Sequence, residues 1–437
     1  MIFSSLLIFT TAYLCRKLYP LSYQSIIITI GDELLIGQTI DTNSAWIAQQ
    51  LNKEGIHVKR RIAVGDERNA ILNALDESIP HANIIFLTGG LGPTADDITK
   101  PLLCEYFGSN LIVNETVLFH VKQIFSKRNR PFLERNLKQA EVPDNCQVLF
   151  NRMGTAPGMW FEKDGCIIVS LPGVPFEMQT IVSEEIIPRL RERFTGNHII
   201  HKTLMTVGLG ESFIADKIED IETSLPPHIH LAYLPTPGFV KLRLTTDGTD
   251  KAVLEREIEV WSTLIQQRLG AYVAATEDIS LEEIATRALK EHRLTLGLAE
   301  SCTGGYVANR ITNIAGSSAY FKGSIVSYAN EVKEDVLNVS HETLTTVGSV
   351  SEDTVVQMAE AARKVLNTDI ALAISGILGP GGATPEKPVG LVWMAISDKD
   401  RTVTKEFHFF YDRLRNKELA ANAALNMIRL FIAEHYS

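Results

Sequence analysis

The 437-residue chain has little of what marks several whole classes of protein. It holds five cysteines (Cys15, Cys104, Cys146, Cys166 and Cys302), an odd number with no two at C-x-x-C spacing. That excludes a disulfide framework and a zinc knuckle and fits a reducing compartment. Eleven histidines are scattered, none in an H-E-x-x-H pattern; His228 and His230 flank Ile229 and read as one face of a strand. Positive charge is not in excess: 42 Lys and Arg against 52 Asp and Glu leave −10, without the basic footprint of a general nucleic-acid binder. Nor is there the run of about 20 apolar residues that a spanning helix needs. The apolar stretch Ile2 to Cys15 is shorter, is followed by Arg16 and Lys17, and lacks the charge order and cleavage site of a secretory signal. Residues 1–23 therefore read as an apolar leader, whether weak membrane leader, targeting segment or plain extension, ahead of a cytoplasmic core; a membrane location is not expected beyond it.

What is present is ordinary globular usage, 45% hydrophobic and 22% charged residues, at a length that suggests about three domains. Ile26 to Ile30 is a β-branched run ending at Gly31-Asp32 and reads as a buried parallel strand. Helical spacing over 44–51, a strand over 58–64, a helix over 67–78 and a strand over 84–87 follow. This alternation implies an α/β, doubly wound parallel sheet with right-handed crossovers, continued by strands at 148–150 and 166–171. Residues 185–272 read differently, with strands at 203–207, 228–234 and 240–246 and helices at 212–222 and 250–269, a small α+β module. Ser280 to Glu283 has a capping-box pattern and opens a third segment, 278–437, with strands at 294–299, 324–328, 370–374, 390–396 and 402–409 and a closing amphipathic helix over 418–433.

Three stretches of the first segment are able to carry chemistry. Thr88-Gly89-Gly90-Leu91-Gly92-Pro93-Thr94-Ala95-Asp96-Asp97 places glycines directly after a buried strand, where backbone N–H groups approach an anion. Asp96 and Asp97 repel a bare phosphate and fit one only with a divalent cation between; the plainer reading is a turn with Asp caps. Gly31 to Ser44 leaves the first strand, where open parallel sheets bind ligands, and offers Asp41, Asn43 and Ser44, with Asn43 or Ser44 also read as the helix cap. Asn151 to Gly158 adds flexible polar backbone.

Together these resemble the amino-terminal domain of the CinA family (competence/damage-inducible protein A), with the molybdenum-cofactor-biosynthesis fold; the likeness continues through Asn136–Ala140 and Leu171–Met178. The resemblance implies a domain at 24–184 with ADP-ribose pyrophosphatase activity, ADP-ribose held by Asp41, Asn43, Ser44, Gly90, Gly92 and Thr94, and a divalent metal at Asp96 and Asp97. The middle module, 185–272, resembles the KH-type domain of the same family, but Gly208-Leu209-Gly210-Glu211 lacks the second glycine of a G-x-x-G clamp and carries an acid. It reads as a spacer or dimerisation element with no nucleic-acid partner, and a homodimer is the expected assembly.

The segment 278–437 carries the fullest resemblance, in Ala299–Gly305, Gly316–Phe321, Val326–Lys333, Gly348–Glu352 and Ser375–Gly382. These resemble the CinA carboxy-terminal domain, which is similar to nicotinamide mononucleotide (NMN) deamidases that release ammonia from the NMN carboxamide without a cofactor. Leu378 stands where family members commonly have Ala, adding volume beside the expected ligand loop. Amide hydrolysis needs a nucleophile, an oxyanion stabiliser and a proton donor for ammonia. No histidine lies in these motifs, so a Ser-His-Asp triad is not expected; Lys333 serves as base if burial lowers its pKa. The resemblance puts the nucleophile at Ser318, with Tyr328 and Lys333 as activating pair. On spacing alone these three read as a turn hydroxyl, a core aromatic and a solvated lysine. Ser301 and Cys302 are rival nucleophiles on a strand-to-helix loop. Ser301, Thr303, Gly304, Ser375, Gly376, Gly379 and Arg413 are expected to hold NMN, Arg413 through its planar fork. Competing readings are a competence or DNA-damage accessory protein acting as a binding module, and a molybdopterin-handling protein.

Overall fold

The computed structural model describes residues 23–94 and 96–436, so the apolar leader lies outside the described residues. Two compact units form, one of residues up to His201 with Thr245–Ile258, the other of Lys202–Leu244 with Glu259 onwards.

In the first unit β1 (Tyr23–Ile30), β2 (Ile56–Val64) and β3 (Ile84–Thr88) lead to a small antiparallel pair, β4 (Leu111–Val113) and β5 (Glu141–Pro143). The chain returns as β6 (Gln147–Leu149), β7 (Gly158–Lys163) and β8 (Cys166–Leu171). The main sheet runs β2-β1-β3-β8-β7-β6. Its first four strands are parallel, and β7 and β6 are antiparallel additions. Strict parallel order therefore stops at β8, because only the two-residue turn Asp164-Gly165 joins β7 to β8, too short for a crossover. The β1 run is isoleucine-rich, broken only by the buried Thr29 from Ile26 onwards, because both faces are covered. Ile27 packs with Ile47, Leu51 and Met178 on one side. Ile26, Ile28 and Ile30 pack with Ile71, Leu75 and Leu103 on the other. Each such side chain stabilises the fold by roughly 1.5–3 kcal/mol relative to exposure. A helical run over Pro175–Arg193 packs Ile181, Ile186 and Leu190 into the same core. The boundary expected at 184/185 thus falls inside a continuous helix, whose apolar face belongs to the first sheet.

β9 (His198–Val207), β10 (Ile229–Thr236), β11 (Phe239–Gly248) and β12 (Val273–Ala275) form the middle sheet in the order β10-β11-β9-β12. The last sheet holds β13 (Leu296–Glu300), β14 (Phe321–Val326), β15 (Ile370–Gly376), β16 (Leu391–Ser397) and β17 (Thr402–His408), in the order β14-β13-β15-β16-β17. β14, β13 and β15 are parallel; β16 and β17 are antiparallel. Alternation sorts its residues: Leu296, Leu298, Ile370, Leu372 and Ile374 face the helices Leu281–Glu291 and Arg413–His435. Ala299, Ala371 and Ala373 face the helix Glu352–Leu366. Ser280 caps the first of these helices, accepting from the N–H of Glu283 at 3.2 Å. β14 begins and ends earlier than its sequence suggests. Lys322 and Gly323 break the β-branched run of an edge strand that packs incompletely. Its register sets Phe321 beside the start of β13 and Val326 beside its end.

Candidate functional site

β13 and β14 end side by side, Glu300 pairing with Val326 and the Ser327 N–H donating to the Glu300 carbonyl at 2.9 Å. Beyond these ends the chain turns through Ser301–Gly305 on one strand and Ser327–Ala329 on the other. The short helix Asn330–Asp335 then brings Lys333 back over the strand ends. Lys333 is 1% exposed. Its Nζ donates to the carbonyls of Ser327 (2.7 Å) and Tyr328 (3.3 Å) and lies 3.2 Å from Ser301 Oγ. No carboxylate pairs with it among the described residues. Burial pushes its pKa below 10.5, with Cys302 and Glu331 acting weakly the other way. A neutral amine has two N–H bonds and one lone pair. The two carbonyls suit the N–H bonds, which leaves the lone pair for the Ser301 hydroxyl.

Glu300, fully buried, closes the floor. Its carboxylate accepts from the N–H of Val307 (3.1 Å) and Ala308 (2.9 Å) and from Ser324 Oγ (3.2 Å). The helix Tyr306–Thr312 thus has its amino end filled by the protein's own carboxylate. Cys302 is buried and its thiol pushed up to about 12 by that burial, which favours the protonated thiol over a thiolate.

The structure does not bring Ser318 to Lys333. Ser318 sits exposed in the turn Ser317–Ala319 before β14, and the carbonyl of Tyr320 beside it accepts from the N–H of Leu296 at the opening of β13. Lys333 follows the far end of the six-residue β14, a strand length of about 20 Å at ~3.3 Å per residue. Within one chain, the hydroxyl that meets the amine is Ser301. Tyr328 comes near by its backbone, while its exposed phenol accepts from Arg413 Nη2 at 3.0 Å. Arg413 Nη1 donates to the Gly379 carbonyl at 2.6 Å. Of the other residues expected to hold NMN, Gly304 and Gly379 lie beside the site with positive φ. Thr303 is fully buried, its hydroxyl without a partner among the described residues. Ser375 is buried and donates to the Ser349 carbonyl at 2.6 Å, a structural tie. Gly376 closes β15, where a Cβ would meet Val392. Leu378 is buried in the core and adds no volume to the ligand loop. Lys417, which the motifs did not single out, reaches within 4.0 Å of a Cβ built on Gly304.

In the first unit the loops also gather beyond strand ends. Asp41 caps the helix Thr42–Lys53, accepting from the Ser44 N–H at 2.9 Å and from the Ser44 hydroxyl. Arg61 Nε donates to Ser44 Oγ at 2.7 Å, and Arg61 lies 3.7 Å from the Asp41 carboxylate. Ser44 is fully buried, so its hydroxyl serves the fold and not a ligand. Asn43 ties strand ends together, donating to Thr88 Oγ1 (3.1 Å) and the Gly173 carbonyl (2.8 Å). Asp41 and Asn43 border a cavity of about 120 Å³ with Thr29, Glu33 and Thr88. Gly89 is required where it stands, since at φ 120° a Cβ would lie 2.2 Å from the Ile30 carbonyl oxygen. Gly90, also at positive φ, packs on Thr99.

Asp97 is spent on its own loop, accepting from Gly92 N (2.8 Å), Thr94 N (2.9 Å) and Thr94 Oγ1 (2.5 Å). Asp96 is exposed, its pKa lowered by the Thr94 hydroxyl. Among the described residues no group of three or more His, Cys, Asp or Glu is placed to hold a metal. Asp97 accepts hydrogen bonds on both oxygens and Asp96 is exposed, so these two carboxylates would have to recruit substrate phosphates and water to complete the coordination of a divalent cation.

Among the described residues no helix is long and apolar enough to cross a membrane. Residues 278–432 match the CinA C-terminal domain, 26–192 the probable molybdopterin binding domain, and 201–274 the damage-inducible protein CinA KH domain. A CinA-like protein of Cytophaga hutchinsonii is 46% identical over 408 residues, covering 93% of this chain and 98% of that protein. One from Flavobacterium psychrophilum is 45% identical over 413 residues, covering 94% and 99%. The crystal structure of a competence/damage inducible protein from Agrobacterium tumefaciens is 39% identical, covering 35% of this chain and 95% of its own, with a TM-score of 0.34. With near-complete coverage of full-length relatives and all three domains matched in order, the chain belongs to the CinA family of competence/damage-inducible proteins.

Proposed function

We propose that the carboxy-terminal domain is an amidohydrolase that converts NMN and water to nicotinate mononucleotide and ammonia, with Ser301 as nucleophile and Lys333 as its base. The observation that carries this reading is the buried Lys333 amine, free of any carboxylate partner among the described residues, 3.2 Å from Ser301 Oγ. The Ser301 proton passes to Lys333 Nζ as Oγ bonds to the amide carbon. The N–H groups of Cys302 and Thr303, next in the chain, donate to no backbone carbonyl among the described residues and are the nearest backbone donors for the resulting oxyanion. Collapse breaks the C–N bond, and the proton on Lys333 leaves with the nitrogen as ammonia. Water then attacks the acyl-serine, giving its proton to Lys333, and Lys333 returns that proton to Ser301 as the ester opens.

The test compares ammonia release by Ser301→Ala, Ser318→Ala and the wild type. Loss in the first and retention in the second is expected; the reverse pattern refutes the assignment. For the amino-terminal domain we propose ADP-ribose as the ligand, on the strength of the family resemblance and the cavity at Asp41 and Asn43. Product analysis with ADP-ribose, with and without a chelator, tests both the activity and its expected dependence on a divalent cation.

A further inference from the structure

The second unit holds a cavity of about 210 Å³ that is lined by none of Ser301, Tyr328, Lys333 or Arg413. Three stretches of chain build it. On β17 and just beyond it, Lys405, Phe407 and Phe409 alternate and so share one face of the strand. On the helix Arg413–His435, Ala423, Asn426 and Met427 recur at helical spacing and present one stripe to the same space. The end of β9, at Val207 and Gly208, closes it. The walls are apolar, and the rings of Phe407 and Phe409 lie nearly parallel, 12° apart with centroids at 5.9 Å. Such walls favour an aromatic ring by stacking, and the Met427 thioether adds a soft contact.

The polar groups at this cavity are few and of one kind. No carboxylate lines it. Lys405 has no ion pair among the described residues; its Nζ lies over Phe407, 5.3 Å from the ring centroid. Glu406 and His408, which pair with each other, stand on the opposite face of the strand. Asn426 spends its carbonyl oxygen on Arg429 Nε at 3.0 Å, so its NH₂ group is the edge left for a ligand. Arg429 is itself held by neutral acceptors, that oxygen and the Ala271 carbonyl, and adds positive potential behind Asn426. A cation and an amide donor set in an apolar wall select a ligand that joins an apolar body to an anionic acceptor. The volume is below the roughly 300–1,000 Å³ of sites for drug-sized ligands and suits one ring with a short acidic arm.

We propose that this cavity binds a small aromatic monocarboxylate, its ring against Phe407, Phe409 and Met427 and its carboxylate at Lys405 Nζ and Asn426 Nδ2. The site stands apart from the amidohydrolase reading: it shares no residue with the Ser301–Lys333 pair, and it entails binding without turnover.

The experiment uses saturation-transfer NMR on the full chain with phenylacetate and with phenylacetamide, which has the same shape and no charge. The wild type binds phenylacetate saturably, with a Kd of roughly millimolar or below for a ligand of about ten non-hydrogen atoms, and binds the amide several-fold more weakly. In Lys405→Ala the Kd for phenylacetate rises about five-fold, the upper range for a solvent-exposed ion pair, while that for phenylacetamide is unchanged. Asn426→Asp keeps an oxygen for Arg429 but puts an anionic oxygen where the NH₂ group was, and phenylacetate binding is lost. Ala423→Leu fills the cavity and removes binding of both ligands. Lys399→Ala, on the exposed turn between β16 and β17, changes neither. Absence of saturable binding to the wild type, equal affinities for acid and amide, or binding that survives Ala423→Leu overturns the proposal. Lys405 is exposed and Asn426 half-buried, so their two variants keep the test decisive should Ala423→Leu fail to fold.

Discussion

Replacing Lys333 by Met keeps a side chain of similar length and removes the amine, which makes it the sharpest single test of the site. Lys333 touches Ser301 Oγ, the Ser327 carbonyl and the Tyr328 carbonyl, so the substitution removes the proposed base and its three hydrogen bonds. Loss of a positioned general base lowers kcat/KM about 10²- to 10⁴-fold. Stability is a separate readout. Three lost hydrogen bonds cost roughly 0.5–1.5 kcal/mol each, and relief of a buried ammonium works in the opposite sense. The variant should thus unfold within about 4 kcal/mol of the wild type, which leaves the rate loss to be read at a temperature where both are folded.

The pH dependence gives an independent reading of the same residue. Burial lowers the Lys333 pKa from 10.5, and the reaction needs the neutral amine. Wild-type kcat/KM therefore rises with pH through a folded-state pKa lower than 10.5 and is lost as pH falls below that value. The linked stability effect has the matching sign. The folded state binds this proton more weakly than the unfolded state, so the cost is fully present below the folded pKa and is relieved as pH rises towards 10.5. The assay is ammonia release from NMN across roughly pH 6–10, with far-UV circular dichroism on the same samples. A wild-type profile flat over that range, or a Lys333→Met variant that keeps more than about a tenth of the activity where a base is worth at least a hundredfold, refutes the reasoning.

Cys302→Ser should retain most of the deamidation rate, because a thiol pushed up to about 12 is no nucleophile at neutral pH; inactivation by this change together with thiol-reagent sensitivity would point back to sulfur. Glu300→Ala strips acceptors from the N–H of Val307 and Ala308 and from Ser324. Removing a buried carboxylate with three donors costs about 3 kcal/mol or more, read as a lower midpoint in urea, with Glu300→Gln milder. Lys100 is buried in the first unit, where Nζ donates to the carbonyls of Lys138 (2.9 Å), Glu141 (3.3 Å) and Gln139 (3.4 Å). Burial takes its pKa from 10.5 to about 8. Relative to Lys100→Met, the wild type should gain about 3 kcal/mol of stability as pH climbs across that window; a constant difference refutes the burial cost.

Sequence patterning reveals the elements whose burial is complete and misses the contacts that only the assembled sheets create. Ile26–Ile30 and Ile370–Ile374 are legible as strands because helices on both faces leave almost no polar positions, Thr29 being the exception. The antiparallel strands β16 and β17 are visible as strands, but their direction is not, since direction is set by turn length and pairing rather than by composition. Lys333 reads as a solvated lysine on a short helix. Its burial arises from a contact across 32 residues with Ser301, which no local period encodes. The assignment of Ser318 comes from family likeness. The register of β14, whose start is blurred by Lys322 and Gly323, puts it at the opposite end of the strand from Tyr328 and Lys333. The cap at Ser280 lies within a single helical turn of chain and is legible outright.

Asp97 separates a loop-forming carboxylate from a metal-binding one, and the choice of substitution matters. One oxygen accepts from Gly92 N, the other from Thr94 N and Thr94 Oγ1. Asn in that place keeps an acceptor for one side but turns an NH₂ group towards the donors on the other, so Asp97→Asn should disturb the loop almost as much as Asp97→Ala. A metal ligand behaves differently: a neutral carbonyl still coordinates, more weakly, and added cation compensates. ADP-ribose cleavage measured against magnesium concentration distinguishes the two. If Asp97 shapes the loop, both variants lose activity at every magnesium concentration, amide hydrogen exchange over residues 90–97 speeds up, and deamidation of NMN is unaffected. If raising magnesium restores Asp97→Asn, the carboxylate turns from Gly92 and Thr94 to an ion when substrate binds, and its hydrogen bonds to those two residues describe only the loop at rest.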